Sequence, residues 1–312
     1  MSLLDVTDLR VAFGPTTVLS GVSLHLDPGE TLAVLGESGS GKTVTAQAVM
    51  GILDPPAVVV GGCVRYRGQD LLTLPERERR RIRGREIAMV FQDALSALNP
   101  VFTVGYQIGE TLRIRDGLSR REALHRAVEL MDQVRIPAAR QRVHEYPHQF
   151  SGGMRQRVSI AMALALDPAV LIADEPTTAL DVTVQAQILD LLGELRRERT
   201  MALMLITHDL GVVAQVADRI AVMYAGRVVE QADVHQLFRA PAHPYTAALL
   251  RGAAISGTPP SLRDLPSGCA FHPRCRYAAA VCRTVAPSTV DLGGRSAACH
   301  FAREVLVDPA AR

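Results

Sequence analysis

A glycine-rich segment early in the chain combines the residue types that can hold a phosphate group. Residues 36–43 read GESGSGKT, which matches the spacing GxxxxGK[ST]. Glycines let successive backbone N–H groups curl around an anion, and a following helix would point the positive end of its dipole at the same place. The Lys42 ammonium can reach the outer phosphates, and the Thr43 hydroxyl can bind Mg²⁺. The segment predicts binding of a nucleoside triphosphate through Gly36, Ser38, Gly39, Ser40, Gly41, Lys42 and Thr43.

The lysine of this segment is the only one in the sequence. The chain has 34 basic residues, and all except Lys42 are arginines. An ammonium is a compact point charge, whereas a guanidinium is a planar fork, so a single retained lysine suggests a site that needs the ammonium. The count alone also fits an arginine-biased genome that left one lysine by chance.

Two acidic residues end a later apolar run. Residues 170–173 read VLIA and are followed by Asp174 and Glu175. Buried strands seldom end in paired acids unless the acids serve a cation or a reaction. Asp174 suits Mg²⁺, directly or through water, and Glu175 can accept a proton from an attacking water molecule. A pair of acids that caps a helix is the alternative interpretation.

The elements that must position these residues follow from the apolar periodicity. The first ninety residues alternate as strands do, residues 101–166 are helical, and strands and helices alternate again after residue 167. This order predicts a parallel sheet covered by helices and divided by a helical insertion, with an appendage beyond about residue 237 where periodicity is lost. Predicted strands are 3–9, 18–26, 31–35, 63–67, 87–91, 169–173, 201–206 and 220–224, and predicted helices include 183–198 and 210–217.

The composition excludes several classes of protein. With 48% apolar and 21% charged residues, the chain is expected to be globular rather than disordered. A net charge of +2 gives no general electrostatic case for nucleic-acid binding. The longest apolar runs fall far short of the ~18–20 residues that span a bilayer, and charged residues interrupt any signal-peptide core. We therefore expect a cytoplasmic protein whose membrane role, if any, depends on partners.

One dense basic run needs a separate interpretation. Residues 77–85 read RERRRIRGR, with Glu76, Glu78 and Glu86 interspersed or adjacent. Mixed charges of this kind favour a solvated helix face over a phosphate or lipid contact.

The order of motifs resembles that of the ATP-binding subunits of ABC transporters, over residues 3–235. Residues 150–154, FSGGM, resemble the ABC signature, commonly LSGGQ. Ser151, Gly152 and Gly153 offer a hydroxyl and backbone N–H groups at a helix N-terminus, which makes a second anion site. The resemblance implies that this site faces the γ-phosphate of an ATP held by an opposite subunit.

Four further positions take their roles from the resemblance alone. Gln92 is similar to the glutamine that senses Mg²⁺ and the lytic water, and Asp181, in Ala179-Leu180-Asp181, is similar to the D-loop that touches the partner. His208 resembles the switch histidine at the γ-phosphate, and Phe13 the aromatic residue that stacks on adenine. The resemblance thus implies ATP and Mg²⁺ as cofactors, Thr43, Gln92 and Asp174 as Mg²⁺ ligands, and Lys42, Gln92, Glu175 and His208 as catalytic residues.

Shorter motifs narrow the resemblance to the dipeptide and oligopeptide importer subfamily. They are residues 90–93 (VFQD) with 96–100 (SALNP), 146–151 (YPHQFS), 243–246 (HPYT) and 268–275 (GCAFHPRC). The resemblance implies an ATPase on the cytoplasmic face of the membrane, paired with a second, related ATPase subunit in a heterodimer. It also implies two transmembrane permease subunits and an extracytoplasmic peptide-binding protein as partners, without nucleic acid. Import of nickel, an opine or an oligosaccharide is an alternative, and a soluble ABC ATPase acting on nucleic acid or the ribosome is a weaker one.

Four cysteines crowd into the C-terminal part of the chain. Cys269, Cys275, Cys282 and Cys299 are spaced C-x5-C-x6-C-x16-C. In a reducing compartment such a cluster favours a metal site over disulfides, but the pair of C-x2-C knuckles typical of zinc ribbons is missing. A [4Fe–4S] cluster tolerates irregular spacing, and some members of the resembled subfamily carry one. Zinc and unliganded thiols stay open as alternatives, while Cys63 is predicted to be a small core residue.

The predicted fold class is α/β. It consists of a P-loop NTPase (RecA-like) core with an N-terminal antiparallel β-subdomain, an inserted helical subdomain and a small Cys-rich C-terminal appendage. The predicted segments are 1–92 with 167–236 for the ATP-binding core, 93–166 for the helical subdomain with the signature, and 237–312 for the extension with the four-cysteine metal site.

Overall fold

The computed structural model describes residues 2–93, 97–178, 180–252 and 255–308. Ser96 and Ala179, which belong to two of the motifs above, lie outside the described residues. The chain folds into two compact units, one of residues 1–74 with 205–312 and the other of residues 75–204. The boundaries predicted from sequence for the ATP-binding core, the helical subdomain and the C-terminal extension stay predictions.

Strands and helices follow one another along the chain as the periodicity indicates. The strands are β1 (Leu4–Phe13), β2 (Thr16–Leu26), β3 (Thr31–Leu35), β4 (Ala57–Tyr66), β5 (Gln69–Asp70), β6 (Ile87–Val90), β7 (Val170–Asp174), β8 (Ala202–Thr207), β9 (Arg219–Tyr224), β10 (Arg227–Asp233), β11 (Val290–Asp291) and β12 (Ser296–Ala297). The helices are α1 (Lys42–Met50), α2 (Glu76–Ile82), α3 (Val104–Asp116), α4 (Arg120–Gln133), α5 (Ala139–Arg142), α6 (Gly152–Ala163), α7 (Val182–Arg199), α8 (Leu210–Val216), α9 (Val234–Arg239), α10 (Pro244–Leu250), α11 (Ala280–Thr284) and α12 (Ala302–Val307).

An antiparallel sheet in the order β2-β1-β4-β5 forms the N-terminal part of the first unit. Strand β4 begins earlier than the strand predicted at residues 63–67, because the strand continues through Gly61-Gly62 at a β-bulge. The pairing of β1 with β4 shifts register between Thr7 and Arg10, opposite Gly62. A Cβ at Gly62 would lie 2.4 Å from the carbonyl oxygen of Asp8, so only glycine fits there. Cys63 beside the bulge is partly exposed, and its predicted core position is wrong.

A second sheet of the first unit carries the central core. β3 and β9 pair in parallel, and β10 and β12 extend the sheet in antiparallel from β9. The C-terminal residues Tyr245 and Phe271 pack in the same hydrophobic cluster as Leu35 of β3 and Tyr224 of β9. The three aromatic rings of Tyr224, Tyr245 and Phe271 have centroids 4.6–5.4 Å apart. The predicted separation of a C-terminal appendage is therefore not confirmed, since these residues share one core with the strands.

The second unit contains strands β6 and β7, which pair in parallel, and the helices of the predicted insertion. The predicted helix at 183–198 appears as α7, and residues 104–163 are mostly helical as expected. Helix α2 contains the basic run and buries none of its residues, while Glu76 pairs with Arg79 and Arg80. This supports the interpretation of a solvated face. Within the described parts of the chain, no helix is long and apolar enough to cross a membrane.

Candidate functional site

The phosphate loop of the first unit runs from the end of β3 to the start of α1. Helix α1 begins at Lys42, directly after Gly41, whose φ of 101° is in the left-handed region that favours glycine. A Cβ at Gly36 would lie 2.3 Å from the carbonyl oxygen of Met223, so the strand end can approach β9 only with glycine at this position. The predicted strand, loop and helix around the motif are thus present.

Lys42 lies inside this loop. The residue is only 5% exposed, and its Nζ donates to the carbonyl oxygens of Gly36 (2.8 Å) and Glu37 (3.2 Å). The buried Ser40 hydroxyl has no hydrogen-bond partner within the described residues. A buried hydroxyl without a partner is costly, and a phosphate oxygen would supply the missing partner. The loop therefore fits the anion that the sequence predicts.

A cavity of about 410 Å³ adjoins the loop, which is within the size range of small-ligand sites. Phe13 and the loop residues Ser38, Gly39 and Ser40 line it together. Residues 259–263 line the same cavity from the C-terminal region. This contribution could not be predicted from the sequence, because the segment has no motif or periodicity.

His208 follows β8 in the first unit and is exposed. The next residue, Asp209, caps helix α8: its carboxylate accepts from the backbone N–H of Gly211 (2.7 Å) and Val212 (3.3 Å). Because the cap starts helix α8 at Leu210, His208 lies in the short connection between the carboxyl end of β8 and this helix.

The two predicted acids of the second unit have different surroundings. Asp174 is the last residue of β7 and is 2% exposed. Glu175 has a φ of 45°, and its Oε2 accepts from Gln92 Nε2 (3.0 Å) and Thr178 Oγ1 (2.9 Å). Positive φ at a non-glycine residue is strained and occurs often at functional sites. The structure thus brings together two predicted site residues, Gln92 and Glu175, and adds Thr178, which had not been predicted.

The signature residues begin helix α6, also in the second unit. Ser151 is the N-cap, and its hydroxyl accepts from the backbone N–H of Met154 (3.4 Å). Gly153 is needed for packing, since a Cβ there would lie 2.4 Å from Val184 Cγ1 of helix α7. Asp181 caps α7 by accepting from the N–H of Val184 (3.0 Å). Helix capping thus accounts for the hydrogen bonds that the Ser151 and Asp181 side chains make. The exposed N-terminus of α6 is compatible with an anion site.

The four C-terminal cysteines are free thiols in the first unit, with Cys282 buried and the others partly buried. Burial, with a smaller contribution from the neighbouring thiols, raises the pKa of Cys275 to about 11 and that of Cys299 to about 12. Four thiols are chemically suited to a soft metal or an iron–sulfur cluster. In the part of the chain that the structure describes, however, no group of three or more His, Cys, Asp or Glu side chains is arranged to hold a metal ion. The [4Fe–4S] prediction is therefore not supported by the geometry.

The HPYT motif at residues 243–246 supports the core beneath the cavity. His243 is buried, and its Nδ1 accepts from the backbone N–H of Tyr245 (3.0 Å). The buried Glu230 carboxylate accepts from the N–H groups of Ala242 (2.7 Å) and His243 (2.9 Å) and pairs with Arg295. Burial lowers the pKa of His243 to about 3, so the ring is neutral in the folded protein at neutral pH.

This burial predicts an acid-sensitive fold. Between pH 6.5 and about 3 the unfolded chain binds a proton at His243 that the folded chain does not, so stability falls as the pH drops through this range. The slope for one group is about 1.4 kcal/mol per pH unit. The free energy of unfolding is measured with urea at pH 7 and at pH 5. From pH 7 to pH 5 it should fall by about 2 kcal/mol more in wild type than in His243→Gln, whose side chain does not titrate. The exposed His235→Gln is the matched control and should behave as wild type; equal losses in wild type and His243→Gln would contradict the prediction.

Comparison with known proteins identifies the family. Residues 19–178 match the family described as ABC transporter, and residues 229–282 match the C-terminal region of oligopeptide/dipeptide transporters. The chain is 48% identical to the dipeptide transport ATP-binding protein DppD of Escherichia coli, over 96% of this chain and 97% of that protein. It is also 48% identical to the oligopeptide transport ATP-binding protein OppD of Salmonella typhimurium, over 98% and 95%.

Solved structures agree with these relatives. The ATP-binding cassette MJ0796, in a dimeric post-hydrolysis state bound to ADP and Pi, has a TM-score of 0.66 and 27% identity, covering 74% of this chain and 98% of that one. CbiO1 of Clostridium perfringens has the same score and identity, covering 76% and 91%. The chain therefore belongs to the ATP-binding subunits of ABC transporters, in the dipeptide and oligopeptide importer subfamily. The predicted P-loop NTPase fold is confirmed, and the chain is an ATPase coupled to transport.

Proposed function

We propose that this chain hydrolyses ATP to energise the uptake of dipeptides or oligopeptides across the cytoplasmic membrane. The observation that carries the proposal is the 48% identity, over nearly the whole chain, to a dipeptide and an oligopeptide transport ATP-binding protein. Import of nickel, an opine or an oligosaccharide is the alternative, because the subunit that hydrolyses ATP does not itself select the solute. A soluble ABC ATPase acting on nucleic acid or ribosomes has no specific observation in its favour.

Binding of ATP is assigned to the phosphate loop and the adjoining cavity. Phe13 stacks on adenine, the loop N–H groups and the Lys42 ammonium surround the phosphates, and Ser40 gains its missing partner. Thr43, Asp174 and Gln92 would hold Mg²⁺, which would neutralise charge on the phosphates.

Hydrolysis is assigned to Glu175 with two positioning partners. The Glu175 carboxylate takes a proton from water as the water oxygen bonds to the γ-phosphorus, while the bond to the bridging oxygen breaks and ADP leaves. The hydrogen bonds from Gln92 and Thr178 fix the carboxylate for this step. His208 contacts the γ-phosphate and stabilises the charge that develops there.

A second ATPase subunit completes the proposed cycle. Ser151, Gly152, Gly153 and Asp181 act on the ATP bound by that subunit, which we propose is a related but distinct chain. Two transmembrane permeases hold the pair at the cytoplasmic face of the membrane, and an extracytoplasmic peptide-binding protein delivers the solute to them. The family of ATP-binding importer subunits supports membrane partners of this kind.

Uptake in cells tests the substrate assignment. Cells from which this chain is deleted should lose uptake of a labelled dipeptide or short oligopeptide, and wild type should restore it whereas Lys42→Ala should not. The result against the proposal is unchanged peptide uptake together with lost uptake of nickel, an opine or an oligosaccharide.

We further propose that Cys269, Cys275, Cys282 and Cys299 bind a [4Fe–4S] cluster, with zinc as the alternative. Their number, their soft donor atoms and their place in one loop-rich segment support the proposal, and metal binding would order that segment. Protein purified without oxygen should absorb visible light and contain iron and acid-labile sulfide; Cys282→Ala should lose both, and the control Cys63→Ala should keep them. A colourless protein with stoichiometric zinc would refute the cluster.

A further inference from the structure

Glu37, the residue that follows Gly36 in the phosphate loop, is held by the C-terminal region. Its carboxylate accepts from Arg274 Nη1 (2.8 Å) and Nη2 (3.0 Å), a two-bond ion pair. Its backbone N–H donates to the Tyr245 hydroxyl (2.8 Å), and its carbonyl oxygen accepts from Lys42 Nζ (3.2 Å). Two residues more than 200 positions away therefore fix the loop next to the lysine that is assigned to the phosphates.

Arg274 is itself rigidly supported. Its side chain is 5% exposed, and Nη1 also donates to the Tyr224 hydroxyl (3.2 Å). Its Nε and Nη2 reach the carbonyl oxygens of Ser256 (3.2 Å) and Ile255 (3.4 Å). Pairing with Glu37 raises the pKa of Arg274, which keeps its charge fixed at all relevant pH values. Bidentate arginine–carboxylate pairs that are shielded from water are among the stronger polar contacts in proteins.

We propose that Arg274 is a positioning residue for ATP binding, which holds the phosphate loop in its binding conformation through Glu37. This inference rests on the proposed assignment of the loop to ATP. A loop that is already ordered loses less conformational entropy when the ligand binds. The ion pair also neutralises a carboxylate that would otherwise repel the incoming triphosphate. Because bound ATP orders the loop once it is saturating, loss of Arg274 weakens binding more than it slows turnover.

The first test replaces Arg274 by Gln; the Kd for ATP is measured on the purified full-length chain, and kcat on the complete transporter that contains the partner ATPase. We expect the Kd for ATP to rise about tenfold, equal to about 1.4 kcal/mol, while kcat at saturating ATP stays within about twofold of wild type. Arg276→Gln is the matched control, since Arg276 lies two residues away and pairs with Asp308 instead. Its Kd should equal that of wild type. An unchanged Kd in Arg274→Gln, or a loss confined to kcat, would overturn the proposal.

A double-variant cycle separates the positioning role from simple charge effects. Glu37→Gln should also raise the Kd for ATP, and the Glu37→Gln/Arg274→Gln double variant should bind ATP no more weakly than Arg274→Gln alone. A Glu37→Gln variant that binds ATP more tightly, or effects that add in the double variant, would refute positioning through this pair. If Arg274→Gln does not fold, the Kd for ATP of Glu37→Gln alone tests the proposal, because this variant breaks the same ion pair from the phosphate loop.

Lys42→Ala distinguishes failure of this inference from failure of the proposed function. If Lys42→Ala binds ATP as wild type does, the loop is not the ATP site and both ideas fail. If Lys42→Ala loses binding while Arg274→Gln keeps it, only the positioning role of Arg274 fails.

Discussion

Replacing Glu175 by Gln should abolish ATP hydrolysis and leave ATP binding intact. The amide keeps the shape of the side chain and can still bond to Gln92 and Thr178, but it cannot take a proton from water. General-base catalysis contributes about 10²–10⁴-fold, so phosphate release should fall by about 100-fold or more. Because the base is not needed for binding, the Kd for ATP should change little, and a closed dimer with trapped ATP should accumulate. The measurement is phosphate release at saturating ATP, together with the Kd for ATP.

A second acid of the same unit provides the control for Glu175. Glu194 lies on helix α7 and pairs with Arg135, and Glu194→Gln should hydrolyse ATP at the wild-type rate. Turnover near wild type in Glu175→Gln would remove this residue as the base.

Replacing Lys42 by Arg should impair hydrolysis almost as severely, although the charge is kept. The ammonium lies 2.8 Å from the Gly36 carbonyl oxygen in a loop where the residue is 5% exposed. A guanidinium is larger and planar, and it places its donors in a fixed fork that the loop is not built to hold. A loss of about 100-fold or more in hydrolysis is expected, in line with the loss of a group that stabilises developing charge. Steady-state ATPase assays of Lys42→Arg and of the exposed control Arg80→Lys give the comparison.

The single lysine allows an independent check on the same residue. An amine-directed reagent has one side-chain target in this chain, and ATP should slow its reaction there. Labelling of Lys42 that ATP does not slow would contradict its position at the phosphates.

The parts of the site that could be predicted from the sequence are those whose backbone is determined by a short segment. The phosphate loop, the acids at the end of β7 and the start of α6 each combine a strand end or helix cap with glycines or polar residues in fixed order. Such local rules act within a few residues, so the motif alone fixes the backbone. The role of Gln92, in contrast, came only from the family resemblance, and its hydrogen bond to Glu175 was not predicted.

The features that sequence did not predict depend on contacts between distant residues. The pairing of Glu37 with Arg274 spans 237 positions, and nothing near either residue indicates the other. The C-terminal region has short helices without clear periodicity, and its place in the core depends on single aromatic residues such as Tyr245 and Phe271. Strand β4 begins before the predicted start at residue 63, because pairing with β1 carries the strand through Gly61-Gly62, a glycine pair of the kind that more often marks a turn.

The most direct test of the whole account is ATP hydrolysis by the complete transporter, reconstituted in lipid with this chain, its partner ATPase, both permeases and the peptide-binding protein. The account predicts that dipeptides or short oligopeptides stimulate hydrolysis and are transported, and that Glu175→Gln eliminates both responses. Hydrolysis that peptides do not stimulate, but that nickel, an opine or an oligosaccharide does, would contradict it.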